Sequence, residues 1–354
     1  MTAATPILAI EPTIESDFTF PPGEDLSLDG GGSLARPTIR YAVYGDPARL
    51  RTDAVLVCHA LSGNARVADW WPGLFGAHRP LDLSKVAVVC SNIIGSCYGS
   101  TGPTSADPET GVPYAERFPV VSIRDIVRAQ RRLADHLGIS RFRAVIGASI
   151  GGMQALQWAI DDPERVESAV AIGAAPLSAL GLALNHIQRH VIRIAETTSD
   201  PAAGLALARA VATCTYKSAE LFDKRYGRSP DRSGENPIST IDARYDVAGY
   251  LDHQGAVFVD RFDADAYRTI TKAMDTFDID FDESVLSRIR SRLLLVGISS
   301  DWLFPPATVQ TIANRLARAG IDAQYAELET DHGHDGFLVE ESQLAHLASN
   351  FLWR

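Results

Sequence analysis

Short runs rich in apolar residues recur along the chain, and segments with helical spacing lie between them. Glycine, proline or polar residues bound the runs, which is the pattern of strands covered on both faces of a parallel sheet. The predicted strands are 38–43, 54–59, 86–90, 143–148, 169–173, 293–298 and 324–328. A helix is predicted over 122–137, where Ser122 and Asp125 resemble a capping box. This alternation predicts an α/β fold with a mainly parallel sheet.

The pattern changes between residues 176 and 290, where the chain becomes rich in Ala and Arg and loses its β-branched runs. This change predicts a helical insertion. Its predicted helices are 179–195, 202–216 and 264–274, with a polar loop near 228–237 and a closing helix of the chain at 341–352. The core is therefore expected in two parts, 1–175 and 291–354, and residues 1–35, polar and rich in Pro and Gly, are expected to form a loosely held N-terminal arm.

Composition narrows the class of protein. The 354 residues carry a net charge of −11 without a block of Lys or Arg, which argues against a nucleic-acid or anionic-membrane surface. No apolar run reaches membrane-helix length and the first twenty residues are acidic, so we expect a cytoplasmic protein. The four cysteines lack zinc-site spacing and are expected to be buried thiols of a reducing compartment. No metal cluster, P-loop or GxGxxG predicts a cofactor.

The clearest motif is Gly147-Ala148-Ser149-Ile150-Gly151, which joins a predicted strand to a helical pattern. Gly-x-Ser-x-Gly in this setting is typical of a nucleophile elbow, whose strained turn leaves little room for side chains beside the serine. The alternative is an ordinary glycine-rich turn. Candidate partners downstream, in the order Ser, acid, His, favour Ser149 as a nucleophile.

A negatively charged oxygen formed at this serine would need backbone N–H donors. The start of the helix after the elbow supplies them, so we expect one from Ile150, the residue after the serine. The second is expected from the loop after strand 54–59, where Leu61 is the candidate.

Candidates for the acid and the base follow the last two strands. Asp301 comes after strand 293–298 and is the predicted acid, although an aspartate in a loop is usually only a turn former. After strand 324–328 either His332 or His334 could be the base, whereas His59 follows an early strand, where a base is not expected. The base would take the Ser149 proton, and Asp301 would hold the imidazole tautomer; no metal is required.

Six blocks resemble, in order, those of the homoserine O-acetyltransferase family. They are CHALSG at 58–63, CSNIIGSCYGSTGP at 90–103, residues 118–125, the Ser149 elbow with GMQAL at 152–156, SSDWLFP at 299–305 and GHDGF at 333–337. The resemblance implies an α/β-hydrolase fold in which 176–290 is a lid. It also implies transfer of an acetyl group from acyl-coenzyme A to the side-chain hydroxyl of L-homoserine through an acyl-serine, a step of methionine biosynthesis.

The resemblance also carries individual roles. It selects His334 as the base and implies that Arg209, Tyr216 and Asp335 hold the amino-acid substrate. The alternatives are purely structural roles, as a solvated arginine, a packed tyrosine and a turn aspartate. Acyl-coenzyme A is then a substrate rather than a resident cofactor. The family further implies a homodimer formed through the lid helices.

Three departures from the family pattern bear on these expectations. Ile150 stands where the family usually has Met, and Asn64 and Arg66 replace an acid and a histidine. The chain also passes from Ile194 to Pro201 without the usual Asn-Trp-x-Gly-Gly segment. Rival functions are a succinyl-coenzyme A donor, a serine acceptor, an esterase or thioesterase that uses water, and a non-catalytic binding module.

Overall fold

The computed structural model describes residues 10–279 and 282–353. Its strands are β1 (Ile14–Thr19), β2 (Leu26–Ser27), β3 (Ser33–Leu34), β4 (Thr38–Tyr44), β5 (Ala54–Cys58), β6 (Ala87–Ser91), β7 (Phe142–Ala148), β8 (Ser168–Ile172), β9 (Arg292–Ile298) and β10 (Ala323–Leu328). Its helices are α1 (Val67–Trp70), α2 (Ile123–His136), α3 (Ile150–Asp161), α4 (Ala179–Thr197), α5 (Pro201–Tyr216), α6 (Ala219–Arg225), α7 (Asp246–Val259), α8 (Ala264–Asp275), α9 (Glu283–Leu286), α10 (Pro306–Arg318), α11 (Gly336–Val339) and α12 (Glu341–Leu352).

One eight-stranded sheet organises the molecule, in the order β1-β4-β6-β5-β7-β8-β9-β10. The pairs from β6 to β10 are parallel, and β4 and β1 extend the sheet antiparallel at one edge. All seven strands predicted from the sequence are present, within one or two residues at their ends. The carboxyl ends of β5, β7, β9 and β10 therefore meet at one edge of the sheet, as the parallel arrangement requires.

Both faces of the sheet are buried. In β5, Leu56 and Cys58 pack into one apolar cluster, whereas Val55 and Val57 pack into the other. The first cluster includes residues of α2, α3 and α10, and the second includes residues of α1 and α12. Two covered faces explain why the strands appear as continuous apolar runs rather than as alternating patterns.

The expectation of a loosely held segment before residue 36 is wrong for its described part. β1 pairs with β4 along its whole length, and Phe18, Phe20 and Leu26 are buried in the core. Arg66 ties the same segment down through ion pairs with Glu11 and Glu15, at 2.6 and 3.0 Å. The polar composition concealed the strand because β1 buries few of its residues.

The chain leaves the sheet after β8 and passes through α4 to α9 before it returns in β9. Helices predicted at 179–195, 202–216 and 264–274 correspond to α4, α5 and α8, whereas α6, α7 and α9 were not predicted. α4 ends at Thr197 and α5 begins at Pro201, so a short turn stands where the family motif is missing. Within the described ranges, no helix is long and apolar enough to cross a membrane.

The cysteines agree only in part with the expectation of buried thiols. All four are unpaired; Cys58 and Cys90 are buried, Cys97 is half-buried and Cys214 is exposed on α5. Cys214 was therefore wrongly expected to be buried. Its helix packs against α4 and α7, and Cys214 lies among the residues of α5 that remain exposed.

Candidate active site

Ser149 lies at the sharp turn between β7 and α3, with φ 58° and ψ −127°, a region that residues with side chains rarely adopt. The two glycines of the motif make this turn possible. A Cβ on Gly147 would lie 2.1 Å from the carbonyl oxygen of Gly151, and one on Gly151 would lie 2.1 Å from that of Cys58. The turn is thus packed too closely for any larger residue at either position.

Candidate oxyanion donors lie beside this turn. Ile150 is the first residue of α3, where helix geometry leaves backbone N–H groups without an intrahelical acceptor. The Leu61 N–H, in the loop after β5, has no hydrogen-bond acceptor among the described residues. Leu61 lines the same cavity as Ser149. The Ile150 N–H is therefore placed directly after the serine, at the positive end of α3, and Leu61 lies at the same cavity in the loop after β5.

His334 and Asp301 form a buried pair at the ends of the last two strands. His334 Nδ1 lies 2.6 Å from Asp301 Oδ2, and both side chains are almost completely buried. The other carboxylate oxygen of Asp301 accepts the backbone N–H groups of Leu303 and Phe304, at 2.9 and 3.0 Å. These bonds fix the carboxylate, which in turn fixes the imidazole so that Nε2 is directed away from Asp301.

Burial and neighbouring charges change the pKa of His334 in opposite directions. Burial by itself would lower the pKa of His334, but the charge of Asp301, its hydrogen bond and the charge of Asp335 together raise the pKa above the ordinary histidine value. An imidazolium is therefore stabilised at this position, as a group that accepts a proton during a reaction requires.

Ser149 and His334 line one cavity of about 170 Å³. The His334 Nε2 atom is buried and has no hydrogen-bond partner in the described part of the chain, and no hydrogen bond joins it to Ser149 Oγ. Free enzymes often show long contacts between nucleophile and base that tighten only with substrate. Together with Asp301, these residues form a Ser-His-Asp arrangement at the carboxyl edge of the sheet.

Arg209 and Tyr216 face this cavity from α5, opposite the sheet. The guanidinium of Arg209 lies 5.2 Å from the ring centre of Tyr216 and 4.8 Å from that of Phe258. The Arg209 Nε atom is buried and has no hydrogen-bond partner among the described residues. The Tyr216 ring lies 6.0 Å from the ring of His334. An arginine stacked between aromatic rings, with an unpaired donor beside the cavity, is suited to an anionic group such as a carboxylate.

Asp335 also lines the cavity, but it already has a cationic partner. Lys217 Nζ lies 2.8 Å from Asp335 Oδ2, and both side chains are mostly buried. Lys217 was not predicted as a site residue, although its position directly after Tyr216 was a usable signal. Any ligand ammonium that binds Asp335 has to share or displace this lysine.

The remaining histidine candidates lie outside the serine–base arrangement. His332 is partly exposed and lies 3.6 Å from Asp331, so it belongs to the loop surface. His59 is completely buried and hydrogen-bonded to backbone groups on both ring nitrogens. Over residues 10–279 and 282–353, no cluster of His, Cys, Asp or Glu is arranged to hold a metal ion.

Comparisons with known proteins agree with this architecture. Residues 53–341 match the model of the alpha/beta hydrolase fold family. The chain is 40% identical over 368 residues to the homoserine O-acetyltransferase of Caulobacter vibrioides, with 97% of this chain and 96% of the relative covered. The chain belongs to the homoserine O-acetyltransferase family. It is also 42% identical over 340 residues to the homoserine O-succinyltransferase of Alkalilimnicola ehrlichii, with 89% and 88% covered.

Solved structures support the same fold for this family member. The homoserine O-acetyltransferase of Bacillus anthracis superposes with a TM-score of 0.88 at 24% identity, over 96% of this chain and 98% of that chain. Esterase E22 superposes with a TM-score of 0.87, also at 24% identity, over 96% and 99%. The α/β-hydrolase fold predicted from the sequence is confirmed. As a member of the homoserine O-acetyltransferase family, the chain is an enzyme that acts on small molecules.

Proposed function

We propose that this chain transfers an acetyl group from acetyl-coenzyme A to the side-chain hydroxyl of L-homoserine, a step of methionine biosynthesis, through an acyl-Ser149 intermediate. The observation that carries the proposal is the shared cavity. Its sheet wall, at the carboxyl edge of the sheet, carries Ser149 and His334, and its helical wall, formed by α5, carries Arg209 and Tyr216. A hydrolytic site needs only the first wall, whereas an amino-acid acceptor also needs the second.

In the first half-reaction, Ser149 Oγ attacks the thioester carbonyl while His334 Nε2 takes the hydroxyl proton. The carbonyl oxygen becomes an oxyanion, which the Leu61 and Ile150 N–H groups stabilise. Asp301 stabilises the imidazolium. The C–S bond then breaks, and coenzyme A leaves as the thiol with the proton from His334. Acyl-coenzyme A is a substrate here, and no resident cofactor takes part.

In the second half-reaction, the homoserine hydroxyl takes the place of the departed thiol. His334 removes its proton, the oxygen attacks the acyl-serine carbonyl, and the same two amides hold the new oxyanion. When the Ser149 ester bond breaks, the proton returns from His334 to Ser149 Oγ. The product ester leaves and the enzyme is restored.

The acceptor is proposed to bind by its two charged ends. Arg209 takes the carboxylate through its planar guanidinium, beside the Tyr216 hydroxyl. Asp335 takes the ammonium, in exchange with Lys217, which pairs with it at 2.8 Å in the free protein. Burial raises the pKa of Tyr216, although the charge of Arg209 opposes the rise, so the phenol remains a neutral donor at physiological pH.

The helical segment between β8 and β9 is proposed to exclude water from the cavity. We propose that residues 176–290 form a lid between the two parts of the core, 1–175 and 291–354. Its helices α4, α5 and α8 supply Leu184, Asn185, Arg209, Tyr216 and Met274 to the wall of the cavity. A lid over the cavity favours attack by the bound alcohol over attack by water.

A matrix of acyl donors and acceptors tests the proposal. Acetyl- and succinyl-coenzyme A are combined with homoserine, serine or water, and release of free thiol is measured together with the mass of the product. Fastest turnover with acetyl-coenzyme A and homoserine is the expected result. Preference for succinyl-coenzyme A, which the succinyltransferase relative makes a specific alternative, would change the donor. Equal thiol release with and without an amino acid would overturn acyl transfer in favour of a thioesterase.

The location of the enzyme, its oligomeric state and its partners are also part of the proposal. Unpaired cysteines and the acyl-coenzyme A donor support a cytoplasmic enzyme. Exposed apolar side chains on the lid helices support a homodimer; they are Leu180, Leu182, Ile187, Ile194, Leu207 and Val257. The net charge of −11 argues against nucleic acid or an anionic membrane as a partner.

A further inference from the structure

His59 lies where β5 ends and the loop carrying Leu61 begins, and no step of the proposed reaction uses it. The side chain is completely buried. Its Nδ1 atom lies 2.7 Å from the Ala60 carbonyl oxygen, and its Nε2 atom lies 3.0 Å from the Ile93 backbone nitrogen. Because the Ile93 N–H can only donate, Nε2 accepts this bond, and Nδ1 carries the hydrogen that is donated to Ala60.

The imidazole ring of His59 has only one protonation state near neutral pH, the neutral one. Burial lowers the pKa of His59 to about 4, although the bond to Ala60 acts in the opposite direction. The neutral tautomer is therefore fixed by its two backbone partners. A ring in this state can orient a neighbour, but it cannot exchange protons with a substrate.

Its neighbour is the peptide group between Ala60 and Leu61. The Ala60 carbonyl oxygen accepts from His59 Nδ1 and also from the Gly63 N–H, at 2.9 Å. The C=O and N–H of one trans peptide point in opposite directions, and the described chain has no cis peptide bond. Two donors that hold the Ala60 oxygen on one side therefore direct the Leu61 N–H to the other side. That N–H has no acceptor among the described residues, and Leu61 lines the cavity beside Ser149.

We infer that His59 is a positioning residue that directs the Leu61 N–H at the oxyanion by anchoring the carbonyl of the same peptide group. The inference rests on the proposed acyl-Ser149 chemistry, in which Leu61 is an oxyanion donor. Close packing supports it, since a Cβ on Gly63 would lie 2.9 Å from the Cβ of His59. The loop thus packs against the imidazole. A donor fixed before the reaction contributes more than one that must reorient during it.

Two substitutions separate the two bonds of the ring. In His59→Asn the amide nitrogen can take the place of Nδ1, which keeps the donor to Ala60 and loses the acceptor for Ile93. In His59→Gln the longer side chain can place its amide oxygen near Nε2, which keeps the acceptor and loses the donor. Each variant loses one buried hydrogen bond, so they are matched in structural damage.

The measurement is steady-state hydrolysis of p-nitrophenyl acetate, with melting temperatures taken in parallel. Loss of a whole oxyanion donor costs roughly 10²–10³ in rate, so we expect a misdirected donor in His59→Gln to lower kcat by about 10- to 100-fold with little change in KM. We expect His59→Asn to lose much less of its kcat at a similar melting temperature. A trifluoromethyl ketone, which forms a tetrahedral oxyanion adduct with the serine, should bind the Gln variant more weakly than the Asn variant.

Three results would overturn the inference: equal losses of kcat in the two variants, a larger loss in His59→Asn, or no loss in either. If neither variant folds, Gly63→Ala serves instead, because it displaces His59 without removing a polar group. A fall in its kcat at constant KM is expected, and an unchanged kcat would count against the inference. The ester assay requires neither coenzyme A nor homoserine, so it remains informative if the donor–acceptor matrix contradicts the proposed function.

Discussion

The two walls of the cavity hold their polar groups in different ways. On the sheet side, Asp301 accepts three hydrogen bonds, and His334 is fixed by one of them. On the helical side, Arg209 is held by stacking on aromatic rings, and its buried Nε atom has no hydrogen-bond partner in the described part of the chain. The reacting groups of the sheet wall are therefore held in position by hydrogen bonds before a ligand arrives, whereas Arg209 on the helical wall is held by ring contacts and keeps hydrogen-bonding capacity for a ligand.

This difference corresponds to two tasks of the site, the chemical reaction and the recognition of the acceptor. Groups that meet every substrate at the same reacting atoms gain from being fixed in advance. Groups that recognise one particular acceptor need free hydrogen-bonding capacity, since the ligand has to supply the partner. Damage to the sheet wall should therefore affect both half-reactions, and damage to the helical wall should affect only the second.

The largest effect is expected for Ser149→Ala, which removes the only group of the sheet wall that becomes covalently bonded. Turnover should fall on the order of 10⁶-fold, the scale seen when a serine nucleophile is deleted. Intact-mass measurement with acetyl-coenzyme A and no acceptor should show one added acetyl group in the wild type and none in the variant. An acetyl group that persists in Ser149→Ala would place the nucleophile elsewhere.

Asp301→Asn tests whether the sheet wall acts through charge and tautomer. Its amide oxygen can still accept from Leu303 and Phe304, so the fold should persist, but the amide supports the wrong imidazole tautomer. We expect kcat to fall by about 10⁴-fold in both half-reactions. Stopped-flow kinetics of acylation and deacylation measure this, with circular dichroism as the control for folding. A loss of less than tenfold would show that His334 is oriented by other contacts.

Arg209→Lys tests the helical wall, because an ammonium cannot reproduce a planar two-pronged contact with a carboxylate. Hydrogen bonds to charged groups are worth about 1.5–3 kcal/mol, so the second half-reaction should lose about 10- to 100-fold in efficiency. Acylation of Ser149 should be largely spared. Rapid-quench measurement of each half-reaction separates the two. Equal losses in both would remove the distinction between the walls, and no loss would leave Arg209 without a role in the acceptor site.

The smallest effect is expected from pH. His334 acts as a base only when neutral, and its pKa is raised by the charge and hydrogen bond of Asp301 against the opposing effect of burial. Acylation should therefore increase with pH through a midpoint above 6.5, the ordinary histidine value, with about a tenfold loss per unit below it. In Asp301→Asn the midpoint should move down, because burial remains without the charge. A wild-type midpoint below 6.5 would contradict the assigned environment.

The sheet wall was predictable from the sequence because its cues are local. β5, β7 and β9 are continuous apolar runs, and the Gly-x-Ser-x-Gly turn specifies its own geometry through close backbone contacts. Parallel strands then bring their carboxyl ends to one edge, which places Asp301 and His334 near Ser149. Choosing His334 over His332 still needed the family resemblance, since both follow the same strand.

The helical wall, α7 and the edge strand β1 were less predictable, because their contacts are distant in sequence. The ion pair of Lys217 with Asp335 joins α5 to the loop after β10, and no periodicity indicates such a pairing. α7 buries few residues, chiefly Gly255 and Phe258, so it lacks a strong apolar stripe. β1 was hidden in the same way by its exposed acidic residues. The anchoring of Leu61 by His59 depends on hydrogen bonds that appear only when the loops after β5 and β6 are packed together.

The positive φ angle of Ser149 lowers the stability of the fold at the residue that the activity of the protein requires. A residue with a side chain in such a conformation costs about 1–3 kcal/mol, whether or not substrate is present. Glycine would accept the same angle without that penalty, but it would remove the nucleophile. The gain in folding free energy and the loss of turnover would come from the same substitution, Ser149→Gly. Resistance to heat is therefore a misleading criterion for selecting variants of this enzyme, since the most direct way to relax the fold at this turn also abolishes its chemistry.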